Sequence, residues 1–203
     1  MPVQLRLLAP IGIKKMYNNQ EADTEYKFLE QAAEIIRNHN IILSEEILLN
    51  LLQIKYRWPK GSVEVINQMA VSSNRFYCEE RFLIFNEWKK LYDLGFTSIL
   101  CNILDLTPEL RNLDEKLLGI KGSYTNANLY FSQGSKNHRV SFPIHDHDYH
   151  VIVKGIYGTT LWLIKGQQIK LEAGSVIILP AGTPHAVIES TEPRLTLTMN
   201  LSG

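Results

Sequence analysis

Three histidines stand where they can share one ion. His145 and His147 lie two residues apart in Phe142-Pro-Ile-His-Asp-His-Asp-Tyr-His150. An extended strand turns alternate side chains to the same face, so both imidazoles point one way. Farther along, Gly174-Ser-Val-Ile-Ile-Leu-Pro-Ala-Gly-Thr-Pro184 reads as a strand and a tight turn that delivers His185. A pair on one strand and a single residue on a returning strand fill three neighbouring corners of a coordination shell. The opposite side stays open to water, oxygen or substrate.

Ordinary surface polarity explains a lone histidine well. It explains less well two in register, answered by a third behind Pro180-x-Gly182-x-Pro184. His150 has the opposite strand parity and reads as a supporting or surface residue rather than a ligand. His138 belongs to the Ser135-Lys-Asn-His loop, and His39 to a helix end. An enzyme built on such a site needs a proton donor or an anion anchor. Tyr149, Tyr157 and Thr198 are the catalytic candidates, with Thr196 and Asn200 beside them; for the tyrosines the alternative is packing with the phenol tip in water. Glu189 shares parity with His185 and is either an extra ligand or base, or solvated surface. Asp146 and Asp148 are expected to face outward, and Trp162 to lie in the core.

Helices occupy the first part of the chain. Asp23 is a plausible cap for a run carrying Tyr26, Phe28, Leu29, Ala32, Ala33 and Ile36 at helical spacing. Ser44 caps a second helix, with Glu45 and Glu46 in its first turn. The pattern predicts a third over 61–71, a fourth over 78–94 ending at Gly95, and a fifth opened by Thr107-Pro108 and closed by Gly119. Residues 1–13 are either an edge strand or a loose arm. After Gly119 short alternating runs take over, predicting strands at 124–131, 139–143, 149–153, 159–164, 167–171, 176–179, 186–189 and 195–200. That many short strands in so short a span fit a double-sheet jelly roll.

The 203 residues suffice for a real core. Lys plus Arg equals Asp plus Glu at 21 each, so nothing draws the chain in bulk to nucleic acid or an anionic membrane. Cys78 and Cys101, both assigned to helical segments, read as free thiols rather than a disulfide framework. With no apolar run of spanning length and no N-terminal basic-then-apolar segment, the expected setting is soluble and cytoplasmic.

His145-x-His147, Gly158 after an apolar strand, and Pro180-x-Gly182-x-Pro-His185 resemble the two sequence boxes of the cupin superfamily. That family commonly adds a Glu after the second His. Val151 holds the position here, and neither His150 nor Ile152 is acidic, so the resemblance implies a three-His site. Within cupins, Ile144-His-Asp-His147, His150 and Thr191-Glu-Pro193 resemble the thiol dioxygenases of the cysteine dioxygenase type. The likeness implies that His145, His147 and His185 hold Fe(II) as neutral imidazoles, with the vacant positions taking a substrate thiolate and oxygen. Where that family has Ser-x-His-x-Tyr, this chain has Thr196, Thr198 and Asn200, and Val151 stands where animal members carry a cross-linking Cys. No carboxylate-binding Arg can be assigned; Lys121 and Arg139 are the nearby basic residues. The likeness spans residues 120–203, and its metal scaffold carries over better than its substrate specificity. A second likeness, to JmjC-type 2-oxoglutarate oxygenases, rests on the spacing of the first box to Gly158 and Trp162. It would need Asp146 or Asp148 turned inward by a bulge as the carboxylate ligand.

The sequence therefore predicts an α+β protein, with a mainly helical region over 1–119 and a cupin-type double-stranded β-helix barrel over 120–203. Its expected function is that of a metal-dependent cupin enzyme, a non-heme Fe(II) dioxygenase of a small thiol or carboxylate; Zn, Mn or Ni suit the same ligands. The alternative is a non-catalytic metal- or ligand-binding cupin whose helices engage a partner protein. A small-molecule substrate is the expected partner, with no nucleic acid and no membrane, and a homodimer through the helices is left open.

Overall fold

The computed structural model describes residues 19–67, 69–70, 75–120, 123–134, 142–190 and 192–202. The elements run α1 (Asn19–Asn38), α2 (Glu45–Leu52), β1 (Val63–Asn67), β2 (Met69–Ala70), α3 (Phe85–Asp93), β3 (Thr97–Leu100) and α4 (Pro108–Leu118). Seven strands follow: β4 (Ser123–Ser132), β5 (His150–Tyr157), β6 (Thr160–Ile164), β7 (Gln167–Leu171), β8 (Val176–Leu179), β9 (His185–Glu189) and β10 (Arg194–Ser202). A seven-stranded sheet of order β2-β1-β3-β4-β10-β5-β8 faces a three-stranded sheet of order β7-β6-β9, and all their pairings are antiparallel. The molecule is α+β with a double-stranded β-helix, as the strand spacing predicts.

The large sheet is buried on both faces, and its period-2 alternation sorts two cores. Ile152 of β5, Leu195, Leu197, Met199 and Leu201 of β10, and Ala127, Leu129 and Phe131 of β4 pack against the helices. Val151 and Val153, on the other face of β5, pack inside the barrel with Trp162, Ile164, Leu171 and Leu179.

Several capping expectations hold. The Ser44 side chain accepts from the Ile47 N–H at 3.2 Å, Thr107 does the same for Leu110 at 3.3 Å, and Gly119 is the C-cap of α4. The expected helix over 61–71 is instead β1 and β2 as far as it is described. Val63 and Val65 are buried while Glu64 between them is exposed, a strand alternation that a short run with apolar residues three apart imitates. The expected helix over 78–94 begins only at Phe85, because 75–84 folds back on itself with Tyr77 bridged to Leu83. Cys78 and Cys101 are free and half-buried as expected, but neither is helical: Cys78 lies in that turn and Cys101 follows β3. β3, which the sequence reading missed, joins β1 to β4, so the sheet runs on from the N-terminal half into the barrel. α1 starts before Asp23. Residues 1–13, most of the strand expected over 139–143, His138, Lys121 and Arg139 lie outside the described residues, and Phe142 and Pro143 are in no strand. No helix among the described residues is long and apolar enough to cross a membrane.

One buried charge fastens the helices to the barrel. Lys154 of β5 is 5% exposed, and its Nζ donates to the carbonyls of Ile36 (2.8 Å), Arg37 (3.1 Å) and His39 (2.5 Å). Those carbonyls end α1, where backbone acceptors lack helical partners and the helix dipole favours a cation. Lys154→Ala leaves buried acceptors unpaired. It is expected to lower unfolding stability by about 2–4 kcal/mol, read as a fall in urea midpoint at unchanged m-value.

Candidate metal centre

The two histidine segments are laced together by backbone. His145 and His185 exchange both hydrogen bonds, N–H to carbonyl, at 3.1 and 2.9 Å, and the Gly182 N–H donates to the His147 carbonyl at 2.7 Å. Gly182 has φ +69°, a conformation that glycine adopts without strain. This lacing brings the three imidazoles together at steep angles to one another. Ring centroids are 4.9 Å apart for His145 and His147, 4.5 Å for His145 and His185, and 5.2 Å for His147 and His185. One nitrogen from each ring lies within 4.8 Å of those of the other two. Residues 146–149 are not a regular strand, so the lacing rather than strand parity alone makes the pair converge.

Tautomers follow from the hydrogen bonds. His145 Nδ1 is 2.8 Å from the Pro143 carbonyl and His185 Nδ1 is 2.8 Å from the Thr183 carbonyl. A carbonyl oxygen only accepts, so each Nδ1 carries the proton and each Nε2 keeps a free lone pair. Metal-binding histidines are oriented in this same way. Burial, then the neighbouring imidazoles, holds His147 below the usual histidine range, against a smaller upward pull from Asp146 and Asp148. Burial lowers His185 too, opposed by its bond to the Thr183 carbonyl. Neutral imidazoles converging on one point fit a borderline divalent cation such as iron, zinc or nickel.

The expected support residues separate into near and far. The Tyr149 ring stacks on His147 with centroids 4.7 Å apart and planes 13° apart, and burial raises its pKa. Thr198 pairs with Val153 and Asn128, which turns its side chain into the barrel; Thr196 and Asn200 flank it on the same face. Tyr157 requires correction. It stands at the opposite end of β5 from His150, and its ring packs with the helix-side core, so it does not belong to the triad. Asp146 and Asp148 are exposed, as expected, and no carboxylate joins the histidine group among the described residues. The inward aspartate that a JmjC-like centre needs is therefore not provided. Trp162 is core, as expected, with its ring 6.1 Å from that of His185. His150 is buried, and its Nδ1 accepts the Ala181 N–H at 3.0 Å, tying β5 to the turn that carries His185.

Sequence reasoning found the β10 half of the wall opposite the small sheet but missed the β4 half. Asn126, Asn128 and Tyr130 of β4 sit beside Asn200, Thr198 and Thr196 of β10, a polar ladder on the barrel-side face. Asn200 Nδ2 donates to Asn126 Oδ1 at 2.5 Å. Burial, then Cys101 and Tyr149, pushes the Tyr130 phenol up to about 12. The available signal was the alternation Asn126-Ala-Asn-Leu-Tyr-Phe-Ser132, which puts polar side chains on one face of a strand covered on both sides.

The comparisons with known proteins bear on the same part of the chain. Residues 129–201 match the family model of the AraC-like ligand binding domain. The fold is cupin-type. A ribosomal oxygenase of Escherichia coli, YcfD, superposes over 82% of this chain and 46% of its own, with 16% identity and a TM-score of 0.54. A lyase for DMSP, DddQ of Ruegeria pomeroyi, matches over 38% of each chain at 22% identity and TM-score 0.34, and a cupin superfamily protein of Desulfitobacterium hafniense over 41% of this chain and 72% of its own at 16% identity and TM-score 0.34. The chain thus spans less than half the length of the oxygenase and of the lyase. No protein of curated function matches it in sequence.

The depressed histidines give the metal-free protein a pH signature. An unfolded histidine titrates near 6.5, and His147 and His185 titrate lower in the fold. As pH falls below about 6.5 the unfolded chain takes up protons first, so stability is lost from there down through the folded-state values. Urea unfolding of the metal-free protein between pH 7 and pH 5 should show that decline, and His147→Gln should flatten it. A profile unaffected by the substitution would contradict the burial of a neutral imidazole at this position.

Proposed function

We propose that His145, His147 and His185 hold a divalent metal, most simply Fe(II), and that the protein is a metal-dependent cupin enzyme oxidising a small thiol or carboxylate. The observation that carries this is the convergence of one ring nitrogen from each histidine to within 4.8 Å of the other two, with the Nδ1 atoms of His145 and His185 occupied by the Pro143 and Thr183 carbonyls. Bound iron would supply Lewis-acid and redox chemistry. Because all three ligands are neutral, the ion keeps its full charge and favours an anionic group of the substrate. The residues around it have separable tasks. Tyr149, stacked on His147, keeps a phenol proton at neutral pH and can offer it as a hydrogen bond. Thr198, with the amides of Asn200 and Asn126, orients a substrate along the polar wall, while Val151, Val153 and Trp162 keep the other side of the chamber dry. Oxygenase chemistry occurs on this fold in the Escherichia coli relative, which is compatible with iron here.

A second reading is favoured by the family match. A domain resembling an AraC-like ligand binding domain can hold a metal or small ligand and catalyse nothing, with the helices serving a partner protein. The two readings differ in turnover.

Metal content of anaerobically purified protein should be near one iron per chain, lost in His147→Ala and kept in His150→Ala. Oxygen consumption with small thiols and carboxylates should follow iron loading, and Thr198→Val should weaken substrate binding with the iron retained. Stoichiometric zinc would move the reaction toward hydrolysis or isomerisation by a metal-activated water, and iron without oxygen consumption would favour the binding module. Wild-type protein that takes up no metal even on reconstitution would end the catalytic reading.

A further inference from the structure

The barrel face of β4 carries a tyrosine whose proton is uncommitted. Along Asn126-Ala-Asn-Leu-Tyr-Phe131, Ala127, Leu129 and Phe131 are fully buried against the helices, whereas Asn126, Asn128 and Tyr130 keep part of their surface. The alternation turns Tyr130 into the barrel. Its strand neighbour there is Thr196, and Thr198 lies diagonally beside it, within reach of an aromatic side chain. The Tyr130 phenol also feels the charge of Tyr149, whose ring is stacked on His147, so the two phenols lie near one another.

Accounting for the wall's protons singles Tyr130 out. The Thr196 hydroxyl donates to the Tyr130 carbonyl at 3.5 Å, and Asn200 Nδ2 donates to Asn126 Oδ1 at 2.5 Å. Asn128 Oδ1 accepts the Asn102 N–H at 3.1 Å, which fixes which end of that amide is the donor. Burial has the largest effect on the Tyr130 phenol and raises its pKa, but a side-chain hydrogen bond with Asn128 acts in the opposite sense. That sign is the one expected of an amide N–H donated to the phenol oxygen. The oxygen is thus held by a donor, and its own proton is left to point elsewhere. Among the described residues no acceptor takes it.

We infer that Tyr130 is a ligand-binding residue of the chamber, whose O–H donates to an uncharged oxygen, a hydroxyl or a carbonyl, on the body of a small carboxylic acid whose carboxylate lies toward the histidines. This rests on the reading of the chamber as a ligand site, and it holds for an enzyme and for a binding module alike. The wall then selects hydroxy- and oxo-acids over their plain alkyl counterparts, because a phenol O–H covered by methylenes loses its water and gains no partner.

The test uses the full chain loaded with zinc, which can bind an acid without consuming oxygen, and the metal-free chain beside it. Isothermal titration calorimetry compares β-hydroxybutyrate with butyrate, and levulinate with valerate. In the wild type at least one oxygen-bearing acid should bind about 3–10-fold tighter than its plain partner. Tyr130→Phe keeps the ring and should erase that ratio, with affinity for butyrate and valerate and the metal content both unchanged. A preference that survives Tyr130→Phe would place the acceptor on another group and overturn the proposal. A loss that falls equally on both members of a pair, the mark of packing alone, overturns it too, as does a wild type with no preference or no saturable binding of any of these acids. A wild type that takes up no metal refutes the histidine reading by itself, and the ratios in the metal-free chain still decide the role of Tyr130.

Discussion

A short backbone lacing between two distant segments determines what this site can be. His145 and His185 exchange paired hydrogen bonds, Gly182 binds the His147 carbonyl, and His150 receives the Ala181 N–H. Two loops are thereby fixed to one another before any metal arrives. A metal can hold loosely placed ligands, but then its binding energy also has to order them. Here the ordering is done by main chain, and the Nδ1–H bonds to Pro143 and Thr183 set the ring orientations. The three rings converge because the peptide path leaves them little choice.

The lacing holds its geometry because the sheet behind it is closed on both faces. Alternate residues of β5 serve opposite masters: Ile152 packs toward the helices, and Val151 and Val153 toward the barrel. A one-residue slip in the β5–β10 register would exchange these sets and bury polar Thr198 and Asn200 in the helix-side core. Register is thus enforced over the length of the strand pair. Lys154 adds a polar constraint, since its ammonium meets the end of α1 in only one alignment. Such a buried cation contributes more to a unique arrangement than to net stability, because its desolvation offsets much of its attraction.

The site was legible because its information is local. Two residues of one segment and a turn of prolines and glycines reveal three histidines that converge, Gln167–Leu171 declares itself by alternation, and Val176–Leu179 by a short apolar run between turn signals. What stayed hidden needs partners distant in sequence. Val63–Asn67 has a pattern that suits helix or strand, and only pairing with Thr97–Leu100 decides it. Thr97–Leu100 is buried on both faces, so it shows no period at all. Tyr157 was misassigned for a related reason: it shares a strand with the triad's neighbour His150, but seven residues of extended chain carry it to the other end of the barrel.

Charge is distributed unevenly along this barrel, and that bears on what it can accept. At the histidine end the protein supplies neutral ligands inside and two carboxylates, Asp146 and Asp148, in water outside. Exposed carboxylates are screened within about 8 Å at physiological salt, so they offset a divalent ion weakly, and the open side of the site stays electropositive once a metal is in place. The polar wall that continues inward offers amides and hydroxyls, groups that hydrogen-bond a ligand without adding charge. An anionic head toward the metal and an uncharged hydrogen-bonding body along Asn126, Asn128, Thr198 and Asn200 is the ligand shape that these fields favour. A long dianion would have to place its second charge against that neutral wall, which provides hydrogen bonds but no counter-charge. Under the proposed metal reading, that wall would favour small monoanions over extended diacids, whether they are transformed or only held.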